Sequence, residues 1–198
     1  MPLTKDDEIF DAAASLFKQK GFHATSMQDI ADAVGMQKGS LYYHISNKED
    51  LLFRISYLAI SSITEHLEEI AAASLPPSEK FCAAIKNHVE TLCYRLDLMS
   101  VFLKESNILT ADQQAQIFAH RRRYEELFRG ILWEGVESGE FRPLDIGATS
   151  DALLGMLNWM HHWYRPEGRL TPEEIARVFV DLALHGILAG KNPVISHQ

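Results

Sequence analysis

The sequence predicts an all-α protein with an N-terminal three-helix head, joined by a long helix to a C-terminal helical body. Apolar residues recur at helical spacing along most of the 198 residues, and no run alternates apolar and polar side chains as a strand would. Hydrophobic residues make up 46% of the chain, enough for a packed core. We expect the head at residues 1–47, the body at residues 48–191 and a loose tail at residues 192–198.

The head should contain a helix-turn-helix. A first amphipathic helix is expected at residues 5–20 and ends at Gly21. Ser26 opens a second helix with a capping box, and Gly35 suits the turn before a third helix at about residues 38–45. The third helix is too short to be stable alone, so it must pack on the other two.

The body should consist of six further helices. Capping boxes at Ser46 and Thr110, a cap at Asp145 and the Thr171-Pro172 pair mark helix starts. Prolines after residue 75 and the turn at residues 165–168 mark breaks. The expected helices lie at about residues 46–73, 78–98, 100–106, 110–138, 145–164 and from 171 onward.

Charge limits the kind of partner that the chain can bind. The formal net charge is -8, which argues against a nonspecific binder of polyanions. Residues 1–54 carry six Lys and Arg against eight Asp and Glu. A DNA-binding surface there must concentrate its few cations and use neutral donors and helix N-termini for phosphates.

Other functional classes find little support in the sequence. His161 and His162 are adjacent, so they cannot share one metal ion from one helix face, and we expect neither a metal nor a cofactor. No catalytic constellation is visible, so an enzyme is not expected. Cys82 and Cys93 would lie about 16 Å apart on one helix, which together with the absence of an apolar leader favours the reducing cytoplasm. No apolar run reaches about 18 residues, so no membrane span is expected.

Residues 9–53 carry a specific set of sequence features: Phe17, the Gly21-Phe22 turn, Thr25, the Ile30-Ala31 pair, Gly35, Lys38-Gly39-Ser40-Leu41-Tyr42-Tyr43-His44 and Lys48-Glu49-Asp50-Leu51-Leu52. With these features, the segment resembles the TetR family of bacterial transcriptional repressors. The resemblance covers about a quarter of the chain. Ile45 departs from it mildly, because many members carry an aromatic residue there.

The third helix should lie in the major groove of an operator. Gln37 can bind adenine bidentately and Lys38 can reach guanine, while Lys48 can hold a phosphate. Leu41 is expected in the core, and Tyr42 either contacts DNA or joins that core. The expected DNA contacts are Thr25, Ser26, Gln37, Lys38, Gly39, Ser40, Tyr42, Tyr43, His44 and Lys48.

The resemblance further implies a homodimer formed by the last two helices, an inverted-repeat operator and a ligand pocket in the body. Residues 154–171 look like those of an acyl-CoA-sensing subgroup. The expected ligand-binding residues are Phe102, Arg121, Tyr124, Phe128, Met156, Trp159 and Trp163. The expected interface residues are Leu153, Met160, Phe179, Leu182 and His185.

Several interpretations of the body stay open. The run Arg121-Arg122-Arg123 either holds phosphates of a coenzyme A group or forms a solvated face that pairs with Glu125 and Glu126. Trp159 and Trp163 share a helix face and belong to a pocket, an interface or the core. The leading function is a repressor released by a small-molecule effector, for which the resemblance suggests an acyl-CoA. The alternative is a DNA-binding accessory factor without an effector.

Overall fold

A computed structural model describes residues 4–105 and 108–187, and these residues belong to the all-α class without strands, as predicted. The predicted tail at residues 192–198 lies outside the described residues. The helices are α1 Lys5–Lys20, α2 Met27–Ala33, α3 Lys38–His44, α4 Lys48–Ala72, α5 Pro77–Tyr94, α6 Leu96–Glu105, α7 Ala111–Glu137, α8 Ile146–Trp163 and α9 Pro172–Ile187.

The helices form two compact units. Unit 1 comprises Met1–Ser62 and Arg95–Arg121, and unit 2 comprises Ile63–Tyr94 and Arg122–Gln198. These units differ from the segments 1–47 and 48–191 expected from the sequence, because α4 and α7 each contribute residues to both. The N-terminal half of α4 therefore belongs to the same unit as the three helices of the head.

Capping groups set most of the helix starts. Ser26 and Asp29 form a complete capping box at α2, and Thr110 and Gln113 exchange the same pair of hydrogen bonds at α7. Asp145 accepts from the Ala148 N–H at the start of α8. The predicted starts of these helices are confirmed.

Two boundaries differ from the expectation. Asn47, not Ser46, caps α4, because its side-chain oxygen accepts from the Asp50 N–H at 2.7 Å. The helix expected at residues 78–98 ends at Tyr94, and the helix expected at residues 100–106 is α6. The carbonyl of Arg95 accepts from the Met99 N–H at 2.9 Å, so α6 begins directly after this residue.

Each unit has its own apolar core. In unit 1, α1 packs against α2 and α6, and α2 packs against α3. The fully buried side chains there include Ile9, Phe17, Ile30, Leu41, Ile45 and Leu52. In unit 2, α5 packs against α8 and α9. The ring of Phe81 lies 5.8 Å from that of Phe128 and 5.6 Å from that of Phe141, and all three are fully buried.

Gly135 of α7 permits the close packing of Phe141. A Cβ atom at residue 135 would overlap the Phe141 ring. We expect Gly135→Ala to lower the free energy of unfolding by about 1–3 kcal/mol, because the buried ring must move. Thermal or urea denaturation measures this change.

Gly130→Ala is the matched control on the same helix. A Cβ atom there meets nothing within 4 Å, so the substitution should stabilise α7 by about 0.5–1 kcal/mol through helix propensity. Equal effects of the two substitutions would contradict the packing argument.

Candidate functional site

Helix α3 presents a polar and aromatic surface while one side chain anchors it. Leu41 is fully buried, and the other side chains of α3 are exposed or half-exposed. Tyr43 is 92% exposed and Tyr42 46% exposed, so the alternative that Tyr42 joins the core is wrong. A helix held through one leucine with the rest of its surface open has the form needed to enter a major groove.

The residues before and at the start of α3 are available to a ligand. Gln37, Lys38, Gly39 and Ser40 are all exposed. Gly39 has no side chain that would hinder close approach to DNA. These four residues surround the N-terminus of α3, where backbone N–H groups favour anions.

Ser26 caps α2 and is itself held by Asp29. The Ser26 hydroxyl lies 2.6 Å from the Asp29 carboxylate, and Lys20 pairs with the same carboxylate at 3.0 Å. Hydrogen bonds from Ser26, and then the Lys20 ammonium, lower the pKa of Asp29 well below its usual range. Ser26 remains exposed, so the start of α2 can still approach a phosphate.

Thr25 corrects one expectation. Its side chain is only 1% exposed, and its hydroxyl donates to the carbonyls of Gly21 at 2.9 Å and Leu16 at 3.3 Å. Leu16 lies near the C-terminal end of α1, and Gly21 is the C-cap of this helix. The hydroxyl therefore stabilises the α1–α2 turn and is not available to DNA.

Lys48 corrects a second expectation. Its ammonium donates to the carbonyls of Phe22 at 2.8 Å, Thr25 at 2.9 Å and His23 at 3.4 Å. The same ammonium lies 4.4 Å from the centre of the Phe22 ring. An ammonium has three N–H donors, so these contacts occupy them and Lys48 holds the α1–α2 loop instead of a phosphate.

His44 is attached to the head by one ring nitrogen. Its Nδ1 lies 2.7 Å from a carboxylate oxygen of Asp6 on α1. This contact fixes the ring at the end of α3 and leaves Nε2 as the nitrogen that can contact DNA.

The residues expected to bind a ligand are divided between the two units. Phe102 and Arg121 belong to unit 1, whereas the other five belong to unit 2. Tyr124 and Phe128 are buried in the core of unit 2. Met156, Trp159 and Trp163 project from α8 into solvent, so the structure does not bring them together with Tyr124 as the expected pocket wall.

The arginine run on α7 is exposed. Arg123 pairs at 2.7 Å with Glu68 of α4. Arg121 and Arg122 are also exposed, whereas Tyr124, which follows Arg123, is buried.

The expected interface residues divide into two groups. Met160 is fully buried and Leu153 is nearly so within a single chain, which corrects their assignment, because a second chain cannot cover them further. Leu182 is 59% exposed, and His185 is exposed beside Asp181.

Helices α8 and α9 share an exposed apolar surface. The rings of Trp163 and Phe179 lie parallel at 6.5 Å, and Trp159 stacks on His162 at 3.8 Å. Between the two helices lies an open groove of about 380 Å³, bordered by Met156 and Leu182 among others. We call Met156, Trp159, Trp163, Val178 and Leu182 the α8–α9 apolar surface.

A buried polar group in unit 2 escaped the sequence analysis. His88 of α5 is 3% exposed, and its Nδ1 lies 2.8 Å from the hydroxyl of Tyr124, itself 5% exposed. Burial lowers the pKa of His88 to about 4 against a smaller opposite effect of the Asn158 side chain, so the ring is neutral at pH 7. The available signal was a histidine inside the apolar stripe of α5.

Among the described residues, no helix is both long and apolar enough to cross a membrane.

The fold and the surface of α3 define a helix-turn-helix DNA-binding protein. Residues 9–55 match the family described as bacterial regulatory proteins, tetR family, and residues 74–187 match the tetracyclin repressor-like C-terminal domain. The chain belongs to the TetR family of bacterial transcriptional regulators. These are DNA-binding regulators and not enzymes.

Similar proteins include a transcriptional repressor and a fatty acid metabolism regulator. The HTH-type transcriptional repressor KstR2 of Rhodococcus jostii is 28% identical over 187 residues, covering 93% of this chain and 92% of that protein. The fatty acid metabolism regulator protein of Bacillus subtilis is 27% identical over 185 residues, covering 91% and 94%.

Solved structures agree with this family. PfmR, a TetR family transcriptional regulator of Thermus thermophilus, is 37% identical, with a TM-score of 0.85 over 90% of this chain and 98% of that one. AibR, solved in complex with isovaleryl coenzyme A and operator DNA, is 30% identical, with a TM-score of 0.80 over 90% and 97%.

The contacts of Lys48 predict how its loss affects DNA binding. Lys48→Ala should lower affinity about equally for operator and scrambled DNA, because it loosens the loop that positions α2. The slope of log affinity against log salt should stay unchanged, whereas loss of a phosphate contact would make it shallower by about 0.9. Fluorescence anisotropy at several salt concentrations measures both quantities.

Lys38→Ala serves as the comparison, since Lys38 is exposed on α3 and is expected to bind a base. It should weaken operator binding more than binding to scrambled DNA. A shallower salt slope for Lys48→Ala would restore that lysine as a phosphate contact.

Proposed function

We propose that this regulator is a homodimeric repressor that binds an inverted-repeat operator and is released by an acyl-CoA thioester. The observation that carries the DNA-binding part is the open surface of α3 around buried Leu41. We assign adenine recognition to Gln37 and guanine recognition to Lys38. Ser40, Tyr42, Tyr43 and His44 supply neutral donors and ring contacts, and Ser26 and Gly39 allow the backbone to approach phosphates.

The α8–α9 apolar surface supports the dimer. Its five members are large apolar side chains that are at least 40% exposed in one chain. Clustered exposed apolar groups of this kind mark protein interfaces. A two-fold dimer would present two copies of α3 about 34–36 Å apart, which is one turn of DNA, so the operator should be an inverted repeat.

Two comparisons support an acyl-CoA effector. AibR was solved with isovaleryl coenzyme A, and the Bacillus subtilis relative is a fatty acid metabolism regulator. An apolar core with few polar groups, as in unit 2, suits an acyl chain. The proposed location is the cytoplasm, because DNA and acyl-CoA are both present there. Free Cys82 and Cys93 also stay reduced in that compartment.

Release from DNA requires that the effector prefer one conformation. An effector shifts the balance only by its difference in affinity for the DNA-bound and free forms. By reciprocity, operator DNA must weaken effector binding by the same factor. The continuous helix α4, which has residues in both units, is the proposed connection between effector and head.

The test combines genome-wide binding with a panel of acyl-CoA thioesters from isovaleryl to palmitoyl. Genome-wide binding should yield an inverted repeat, and a short DNA carrying it then serves as the operator. An effector at about 100 times its Kd should stabilise the protein by about 2.7 kcal/mol and release that operator. Operator binding without any thermal shift across the panel would refute the effector class and leave the DNA-binding function intact.

Leu182→Glu should dissociate the proposed dimer, because it puts a charge where two apolar surfaces meet. Analytical ultracentrifugation should show a monomer, and operator affinity should fall. Leu75→Glu is the matched control, because Leu75 is also exposed but lies in the loop after α4. A Leu182→Glu protein that sediments as a dimer would exclude this surface as the interface.

A further inference from the structure

The most unusual group in unit 2 is the polar trio of His88, Tyr124 and Asn158. They lie on α5, α7 and α8, in that order. His88 occurs in a stripe that is otherwise apolar, formed by Phe81, Ala84, Ile85, Val89 and Leu92. A histidine in such a stripe either completes an internal hydrogen-bond network or serves another molecule.

The hydrogen bonds of the trio are incomplete. Nδ1 of His88 is bound to the Tyr124 hydroxyl, but Nε2 is buried and has no hydrogen-bond partner among the described residues. The Asn158 side chain is close enough to act on the ring, yet it does not bond to Nε2 with good geometry. Leaving a buried polar atom unpaired costs about 1–3 kcal/mol, and folded proteins contain few such atoms.

Helices α7 and α8 hold further buried polar atoms without a partner among the described residues. They are Nε of Arg129 on α7 and Oγ of Ser150 on α8. Arg129 pairs with Asp151 at 2.9 Å, so its charge is already balanced. These atoms add hydrogen-bonding capacity on α7 and α8 without an available net charge.

The chemistry of the trio selects the group that it can bind. A neutral imidazole, a phenol and an amide can each donate or accept a hydrogen bond, and none carries charge. Burial raises the pKa of the Tyr124 hydroxyl, so it too stays neutral. A carboxylate buried against them would lack a cation, which is costly, whereas a carbonyl or hydroxyl would not.

We infer that His88, Tyr124 and Asn158 form the polar recognition point of the effector, binding one neutral oxygen of an otherwise apolar acyl group. This assignment rests on the proposed acyl-CoA function. The oxygen comes either from the thioester carbonyl or from a hydroxyl on the acyl chain. A carbonyl accepts from Nε2–H while the Tyr124 hydroxyl donates to Nδ1, whereas a chain hydroxyl accepts from Nε2–H or, in the other tautomer, donates to Nε2. In both cases Tyr124 fixes the tautomer of His88, and ligand analogues separate the two sources.

The experiment measures ligand binding to the full-length protein and to Tyr124→Phe by calorimetry. The ligands are hexanoyl-CoA, S-hexyl-CoA, which lacks the carbonyl, and 3-hydroxyhexanoyl-CoA. If the trio binds the carbonyl, the natural protein should prefer hexanoyl-CoA to S-hexyl-CoA by about ten-fold, and Tyr124→Phe should remove that preference. If the trio binds a chain hydroxyl, the natural protein should instead prefer 3-hydroxyhexanoyl-CoA to hexanoyl-CoA, and Tyr124→Phe should remove this second preference.

Tyr164→Phe is the matched control. Tyr164 is as buried as Tyr124 and lies in the same unit, but its hydroxyl interacts with the Cys93 thiol. This variant should keep both ligand preferences. Operator binding should be unchanged in both variants, which shows that each is folded.

A second variant tests the purely structural interpretation. His88→Phe combined with Tyr124→Phe removes both hydrogen-bonded groups, and the ligand-free melting temperature should not fall, because unpaired polar atoms leave the core. A large fall in the melting temperature of the double variant, with ligand preferences intact in Tyr124→Phe, would overturn the assignment and give the trio a structural role.

If the natural protein and Tyr124→Phe bind thioesters with the same ligand preferences, the assignment of the trio is refuted and the proposed effector class stands. No binding of any thioester to the natural protein refutes the proposed effector class, and this assignment with it.

Discussion

The three carbonyls that bind the Lys48 ammonium join the DNA-binding head to the helix that leaves it. Helices α2 and α3 have seven residues each, too few to be stable alone. The loop before α2 is fixed to the first turn of α4 by Lys48, and α3 is anchored by buried Leu41. The direction of α3 thus depends on its neighbours. Any displacement of the first turn of α4 must move this loop, which gives the proposed effector response a physical route.

Ion pairs explain how an acidic head can still approach DNA. Asp29 is bound to Lys20 and Asp97 to Lys18, so these two carboxylates are neutralised by neighbouring ammonium groups. These contacts also consume cations that would otherwise attract phosphates. What remains exposed around α3 is Lys38 with neutral donors. Such a surface gains little from long-range attraction, so its affinity must come from geometry in the groove.

Local signals were predictable from the sequence, and contacts between distant segments were not. The starts of α2, α7 and α8 follow from capping residues that lie within three or four positions. The break at Arg95 carries neither Gly nor Pro, and Asn47 and Ser46 are adjacent residues of the same capping class, so both boundaries escaped prediction. The sequence predicts a phosphate contact for Lys48. This prediction is wrong, because the loop at residues 22–25 folds against the Lys48 ammonium, and a contact between segments over twenty residues apart leaves no local sequence signal.

Helix α8 shows why burial in the C-terminal body is hard to predict from sequence, and its unexpected side chains point to binding surfaces. Apolar residues surround it, so periodicity could not tell buried Met160 from exposed Trp159, its neighbour in sequence. The same helix directs polar Asn158 toward the buried His88 and a tryptophan into solvent. The unpaired buried polar group and the exposed tryptophan each raise the free energy of an isolated chain. Each cost is removed when another molecule covers the apolar surface or hydrogen-bonds the polar group, and the proposed second subunit and the proposed effector would meet these two requirements.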